Sequence, residues 1–169
     1  GRLDAYGTPY KPQRGEQWEA GVKWQPPGQG ISAFAAVYTL REKNRKTTDP
    51  SNPLNSLQIG EVKVKGFEAE VQASLARNWD FTLAYAFTDA QISRSNAGDQ
   101  GQAVAGVPRH TASAWLSHRF AAQGRGGWVV GAGVRHTGSQ WTCTSAITTP
   151  AATLADAMVA YDAGDWRVA

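Results

Sequence analysis

The sequence has 169 residues and a formal net charge of +3, which allows a sizeable core but is too slight to indicate nucleic-acid binding. Only 18% of the residues are charged, and 18 Gly and seven Trp are high counts for a domain of this size. The aromatic content excludes a disordered chain, and no apolar run approaches the ~20 residues of a membrane-spanning helix. A disulfide scaffold is excluded because Cys143 is the single cysteine.

Alternation of apolar and polar residues predicts β-strands along the whole chain. The Ala-rich stretch 151–160 has helical propensity, but its alternation favours a strand. In the third strand Phe67 and Val71 share a face, whereas Val62 and Val64 have the opposite parity, so we expect a bulge near Lys65 and Gly66. The predicted elements are seven strands and the start of another, at residues 16–25, 31–46, 59–76, 81–88, 109–120, 128–137, 153–162 and 166–169.

The predicted connections alternate between short and long. Short turns are expected near 26–30, 77–80, 123–127 and 163–165, and long polar loops near 47–58, 93–108 and 138–152. An antiparallel up-and-down meander places all short turns at one end and all long loops at the other. This asymmetry is typical of outer-membrane barrels, which have short periplasmic turns and long extracellular loops, and it is not a feature of soluble sandwiches.

Aromatic residues flank every predicted short turn. In a meander they form one band, and amphipathic rings favour the boundary between membrane and water. The alternative is an ordinary aromatic core at strand ends. The predicted girdle consists of Trp24, Trp79, Phe81, Phe120, Trp128, Tyr161 and Trp166.

The polar face of such a wall is expected to line a wide lumen and to be wetted by the water inside it. The expected lumen residues are Gln17, Glu19, Glu68, Glu70, Thr82, Arg135 and Asp156. The charged run at 41–46 is expected to be a solvated strand end, a grip on lipopolysaccharide phosphates or an electropositive vestibule. Continued alternation predicts that Arg41, Lys43 and Arg45 face the lumen and that Lys46 faces outward.

Seven strands and a partial eighth leave both edges of the sheet open, and lipid does not tolerate unpaired backbone groups. The strands are also long, and the last one is cut at Ala169. We therefore expect residues 1–169 to be a slice of a larger transmembrane β-barrel.

Five segments, in order, resemble strand motifs of TonB-dependent ferric-siderophore receptors. They cover nearly the whole chain, and together they are far more specific than any one alone. The segments are residues 10–23 (YKPQRGEQWEAGVK), 60–70 (GEVKVKGFEAE), 107–115 (VPRHTASAW), 131–139 (GAGVRHTGS) and 153–162 (TLADAMVAYD). His136 stands where the family pattern has Tyr.

The resemblance implies a 22-stranded barrel closed by an N-terminal plug, of which this chain would be roughly the last third without the plug or the final strands. It is most similar to the hydroxamate, ferrichrome-like branch. It implies TonB-energised uptake of ferric siderophores across the bacterial outer membrane, with contacts to lipid and lipopolysaccharide. The TonB complex would act through the plug, and some of the expected lumen residues would hydrogen-bond that plug. The transported ligand is the ferric siderophore, and no cofactor is implied.

Candidate ligand contacts on the loop side are Arg109 and Trp141. A protein metal site is not expected, because His110, His118 and His136 lack ligand spacing. No nucleophile with an adjacent base is visible, so no enzyme activity is expected. The alternatives are a passive channel or structural barrel, and a soluble all-β binding module.

Overall fold

A computed structural model describes residue 4 and residues 6–49, 51–121, 126–142, 147–163 and 166–169. Within them the chain is all-β, and no helix is long and apolar enough to cross a membrane. The strands are β1 (Arg14–Trp24), β2 (Ile31–Asp49), β3 (Asn52–Ala76), β4 (Trp79–Arg94), β5 (His110–Ala121), β6 (Gly127–Thr137), β7 (Gln140–Trp141), β8 (Thr148–Thr149), β9 (Ala152–Asp162) and β10 (Arg167–Val168).

Eight of these strands form one antiparallel sheet in the order β1-β2-β3-β4-β5-β6-β9-β10, and β7 pairs with β8 in a separate hairpin. Every strand of the large sheet pairs with its neighbour in the sequence of large-sheet strands, so the predicted up-and-down meander is confirmed. The Ala-rich stretch is strand β9, as its alternation indicates. β1 and β10 are the edges of the sheet, which is therefore an open wall.

The pairing register divides the wall into two faces, because directly paired residues point to the same side. The polar face is defined by Glu70, which pairs with Ala84, and by Arg135, which pairs with Ser113. The apolar face is defined by Val71 and Leu83, which pair with each other, and by Val134. Leu83 is 42% exposed and Val134 is 49% exposed, so large apolar side chains on this face have no protein covering them.

The predicted loop 47–58 is wrong, because β2 continues to Asp49 and β3 begins at Asn52. The polar residues of this segment form the outer part of a long hairpin. Thr47 pairs with Leu57, and Asp49 pairs with Asn52. This part of the strands has no apolar alternation from which it could be predicted. The other two loops are present at 95–109 and between β6 and β9.

The predicted bulge near Lys65 and Gly66 is also wrong. Lys65 pairs with Thr39 and Gly66 with Tyr38 in unbroken register. The β2–β3 irregularities lie nearer the hairpin tip, the first of them between Glu42 and Arg45. Gly66 is required for another reason: a Cβ at this position would overlap the ring of Tyr38.

The expected facing of Arg41 and Lys43 is wrong as well. The aromatic side of β2 belongs to the polar face, since Phe34 pairs with Glu70. Arg41 therefore lies on the apolar face, where it pairs with Glu16 and Lys63. The error arises because β2 has apolar residues on both sides, so its own alternation does not identify the outer one.

Cys143, most of the turn at 123–127 and part of the turn at 163–165 lie outside the described residues.

Candidate functional site

All seven predicted lumen residues share the polar face. Gln17 and Glu19 are on β1, Glu68 and Glu70 on β3, and the other three extend the same face through β4, β6 and β9. Arg135 and Asp156 form a bidentate pair, with Nε to Oδ2 at 2.8 Å and Nη2 to Oδ1 at 3.0 Å. Such a pair fixes both side chains more firmly than a single contact does. Whether this face lines a lumen stays a prediction.

Trp115 and Tyr38 are two aromatic residues on the polar face. The Trp115 ring lies over Gly131 and Gly133, where an added Cβ would approach ring carbons to 2.5 Å in each case. Tyr38 lies over Gly66, and its hydroxyl is 3.2 Å from Thr88 Oγ1. Each ring covers backbone that glycine leaves bare.

The predicted girdle lies on the apolar face at the end of the wall that carries the short turns. Phe120 pairs with Trp128, and Trp128 pairs with Tyr161 at a ring separation of 5.0 Å. Trp79 contacts His118 at 4.4 Å. Trp24 and Phe81 are on the same face, and Trp166 immediately precedes β10. We call these residues and His118 the lower belt.

A second aromatic group lies on the apolar face at the end that carries the long loops, and the sequence analysis missed it. Tyr85 donates or accepts a hydrogen bond with His110 Nδ1 at 2.9 Å, and the Phe87 ring is 5.2 Å from the His110 ring. Phe67 is 6.4 Å from Tyr85. His136 is on the same face, with Nδ1 2.8 Å from Thr153 Oγ1. We call Phe67, Tyr85, Phe87, His110 and His136 the upper belt.

The upper belt becomes visible only through the register. Phe67 and Tyr85 each continue the apolar side of their own strand, and only the pairing places them at one level with His110 and His136. The histidines were weighed only as metal ligands. Their place beside aromatic rings with a polar edge exposed is typical of an interface between apolar and polar surroundings.

The charged run 41–46 is held by ion pairs above the upper belt. Arg41 Nη2 lies 2.7 Å from Glu61 Oε2, and Ser93 Oγ donates to Glu61 Oε1 at 2.8 Å. These contacts, with the Arg41 hydrogen bond as the main cause, lower the pKa of Glu61 despite its burial. Lys43 pairs with Glu16 at 3.2 Å.

The other two cations of this run point elsewhere. Arg45 Nη1 is 3.4 Å from Glu42 Oε2. Lys46 Nζ lies 4.0 Å from the centre of the Tyr10 ring, a cation–π contact. The run therefore contributes to two surfaces and does not form one patch.

The two candidate ligand contacts are brought together at the long-loop end. Arg109 and Trp141 line one cavity of about 690 Å³ between the β4–β5 loop and the start of the β6–β9 connection. Arg109 Nη2 is 3.3 Å from Asp89 Oδ1, and Trp141 is 43% exposed. The two loops are joined by a hydrogen bond from Gly106 N to the Trp141 carbonyl at 2.8 Å.

The β4–β5 loop is folded back on the end of its own strand. Val104 N donates to the Ala90 carbonyl at 3.0 Å, and Ile92 N donates to the Gln102 carbonyl at 2.9 Å. The same loop supplies Asp99 to the cavity wall, with a buried Oδ1 that has no hydrogen-bond partner among the described residues. Sequence reasoning missed Asp99, because one carboxylate in a polar loop carries no distinguishing pattern.

Two solved receptor structures share this fold. The wall superposes on the ferric preacinetobactin receptor BauA from Acinetobacter baumannii with a TM-score of 0.77 and 18% identity, covering 92% of this chain and 23% of that one. The ferric-catecholate import receptor Fiu from E. coli matches with a TM-score of 0.74 and 24% identity over 95% of this chain and 23% of that one. The open sheet thus has the fold of part of such a barrel.

Residues 2–169 match the family model described as TonB dependent receptor-like, beta-barrel, and the chain belongs to that family of outer-membrane proteins. The ferrioxamine B receptor of Salmonella typhimurium is 37% identical over 161 residues, which cover 94% of this chain and 23% of the relative. The ferrichrome outer membrane transporter/phage receptor of Escherichia coli is 32% identical, covering 92% of this chain and 21% of the relative. The chain thus spans less than a quarter of the length of these relatives.

Proposed function

We propose that this chain is the wall of a receptor that takes up a ferric siderophore across the outer membrane with energy from the TonB complex. The loop-end cavity carries the proposal, because it joins Arg109, Trp141 and Asp99 at the end of the wall with the long loops. Support comes from the family match and from relatives named as ferrioxamine B and ferrichrome receptors. These names favour a hydroxamate siderophore as ligand.

In this proposal the polar face lines the lumen and contacts a plug domain outside this chain. The wall then supplies a fixed surface, and the moving part is elsewhere. Paired side chains such as Arg135 and Asp156 suit this role, because a bidentate pair presents a fixed pattern of donors and acceptors. The wall needs no catalytic group, in agreement with relatives that are named receptors and transporters.

In the cavity, Trp141 supplies an apolar ring with an exposed edge, and Arg109 supplies a cation held by Asp89. The unpartnered Asp99 oxygen accepts a hydrogen bond from a bound ligand. The cavity size of about 690 Å³ is within the range of small-molecule sites.

The test is uptake of radioactive iron as ferrioxamine B or ferrichrome by cells whose receptor contains this chain. Uptake should stop when the TonB complex is deleted. Trp141→Ala should weaken ligand binding about tenfold, which corresponds to a loss of roughly 1.4 kcal/mol of binding free energy. The matched control is Trp128→Ala, an exposed Trp of the lower belt far from the cavity. Uptake that persists without the TonB complex would favour a passive channel.

A further inference from the structure

We propose that Asp99 selects ligands that carry a protonated amine, so that the loop-end cavity prefers a cationic ferric hydroxamate to neutral and anionic iron complexes. The inference rests on the proposed function, since it assigns a charge preference to the cavity proposed there as the ligand site. Asp99 lines this cavity of about 690 Å³ together with Arg109 and Trp141. Its Oδ1 atom is buried and has no hydrogen-bond partner among the described residues.

Asp99 is held in place by the backbone of its own loop. The Gln102 amide donates to the Asp99 carbonyl at 3.1 Å, and the Gly101 amide donates to the Ile92 carbonyl at 2.8 Å. Gly98 and Gly101 have positive φ angles of 80° and 86°, which glycine adopts without strain. The turn is thus closed against the end of β4, and the carboxylate has a fixed position before a ligand binds.

The uncompensated charge on the cavity wall is negative. Arg109 is the cation among the described lining residues, and its Nη2 atom is already engaged by Asp89 Oδ1 at 3.3 Å. His110 also lines the cavity, with Nδ1 2.9 Å from the Tyr85 hydroxyl. Asp99 has no ion pair with any residue in the described part of the chain. A cationic donor therefore meets an unpaired carboxylate, and a charge-assisted hydrogen bond is roughly twice as strong as a neutral one.

The apolar part of the cavity wall suits the chain that carries such an amine. Ile92, Ala103, Val107 and Trp141 give apolar surface to the same cavity. An alkyl stem packs along apolar surface while its charged end reaches a polar partner. An alkylammonium group therefore satisfies both parts of the cavity, whereas an inorganic cation satisfies only the carboxylate.

The charge of an iron complex follows from its chelating groups. Three singly charged hydroxamates neutralise ferric iron, so a trihydroxamate complex takes the charge of the groups attached to it. Ferrioxamine B ends in a primary amine and is cationic at neutral pH, since an alkylamine has a pKa of about 10. Catecholates are dianions and leave the complex anionic, which brings like charge against Asp99.

The test is binding to the full-length receptor, purified in detergent and measured by isothermal titration calorimetry. The probes are ferrioxamine B, its neutral N-acetylated derivative and ferric enterobactin, an anionic tricatecholate. The variant is Asp99→Asn, which keeps the size of the side chain and removes its charge. The matched control is Asp80→Asn, the same change in β4 at the end of the wall with the short turns, where Ser74 Oγ donates to Asp80 Oδ1 at 2.9 Å.

The native receptor should bind ferrioxamine B about tenfold more tightly than the acetylated derivative. Asp99→Asn should remove this preference by weakening ferrioxamine B alone, and Asp80→Asn should leave it unchanged. Equal binding of the two ligands by the native receptor, or a preference that persists in Asp99→Asn, would overturn the role of Asp99 and leave the proposed function standing.

The comparison of two ligands on the native receptor does not depend on the folding of any variant. Binding of the tricatecholate alone would overturn the charge preference and the choice of a hydroxamate together. A receptor that binds none of the three complexes would contradict the proposed function itself, and the role of Asp99 with it.

Discussion

At the scale of single residues, neighbours in the sequence have opposite surroundings. Leu83 lies midway between Trp79 of the lower belt and Phe87 of the upper belt, on the apolar face. Thr82 is adjacent in sequence and lies on the polar face, where it pairs with Gln72 and Trp115. A charged side chain should therefore be tolerated at Thr82 but not at Leu83.

Arginine at these two sites provides the residue-scale prediction. Leu83→Arg should lower the free energy of unfolding by about 2–4 kcal/mol, since a charge on the lipid side at the midplane loses its hydration. Thr82→Arg should cost much less, because the polar face offers water and Gln72. Urea titration of the receptor in lipid vesicles measures both. Equal losses at the two positions would contradict the assignment of faces.

At the scale of elements, glycine and aromatic residues act in pairs across strands. Gly66→Ala should destabilise the β2–β3 pairing by about 1–3 kcal/mol, because the new methyl group overlaps the Tyr38 ring. Gly15→Ala is the control, since its Cβ would meet Leu40 at an ordinary 3.7 Å. Thermal unfolding of the receptor measures both variants. Adding Tyr38→Ala should remove most of the Gly66→Ala penalty, and an additive double variant would disprove the pairing.

The outer part of the β2–β3 hairpin should depend on pH. Hydrogen bonds from Ser51 lower the pKa of Asp49, and the Arg41 contact lowers that of Glu61. A carboxyl whose folded-state pKa is lowered stabilises the fold above its unfolded pKa, near 4, and loses that contribution as the pH falls through the folded value. Amide protection at the hairpin should therefore hold from neutral pH to about 5 and fall below about 4.

Hydrogen exchange followed by mass spectrometry measures this protection. Glu61→Gln should flatten the pH response, whereas Glu68→Gln, which changes an exposed residue of the polar face, should leave it unchanged. A response that is identical in the two variants would show that Glu61 does not control the hairpin.

The facing of the wall and its strand order were predictable to different degrees from the sequence. In β4 and β6 one side is clearly more apolar, so alternation identifies the outer face correctly. In β2 the side that carries Val37 and the side that carries Tyr38 are both apolar, so alternation alone does not identify the outer one. The pairing with Glu70 and Phe67 on β3 identifies it. The hairpin beyond Lys46 has no apolar alternation, and therefore it resembles a loop in sequence. The candidates Arg109 and Trp141 were correctly placed on the loop side, but the cavity they share depends on how two loops fold back.

At the scale of the whole molecule, the wall has one end with short turns and one with a long hairpin and folded loops. We expect the long end to be extracellular, as in other outer-membrane barrels. In a Cys143→Ser background, single cysteines at Asn52 and Gln100 should react with an impermeant thiol reagent on intact cells, and one at Gln29 should not. These sites avoid Gly28 and Gly98, whose positive φ angles disfavour a side chain. Labelling at Gln29 alone would reverse the topology.

The spacing of the two belts also has a consequence for the membrane around the receptor. From Trp79 to Phe87 is eight residues of β4, about 26 Å along the strand and about 20 Å along the membrane normal at a tilt near 40°. This is less than the ~30 Å hydrocarbon thickness of an average bilayer. The bacterial outer membrane is thinner than average, and in a bilayer of average thickness the lipids beside this wall would have to thin locally. The protein should accordingly partition into thin bilayers, and its stability in vesicles should decrease as acyl chains lengthen.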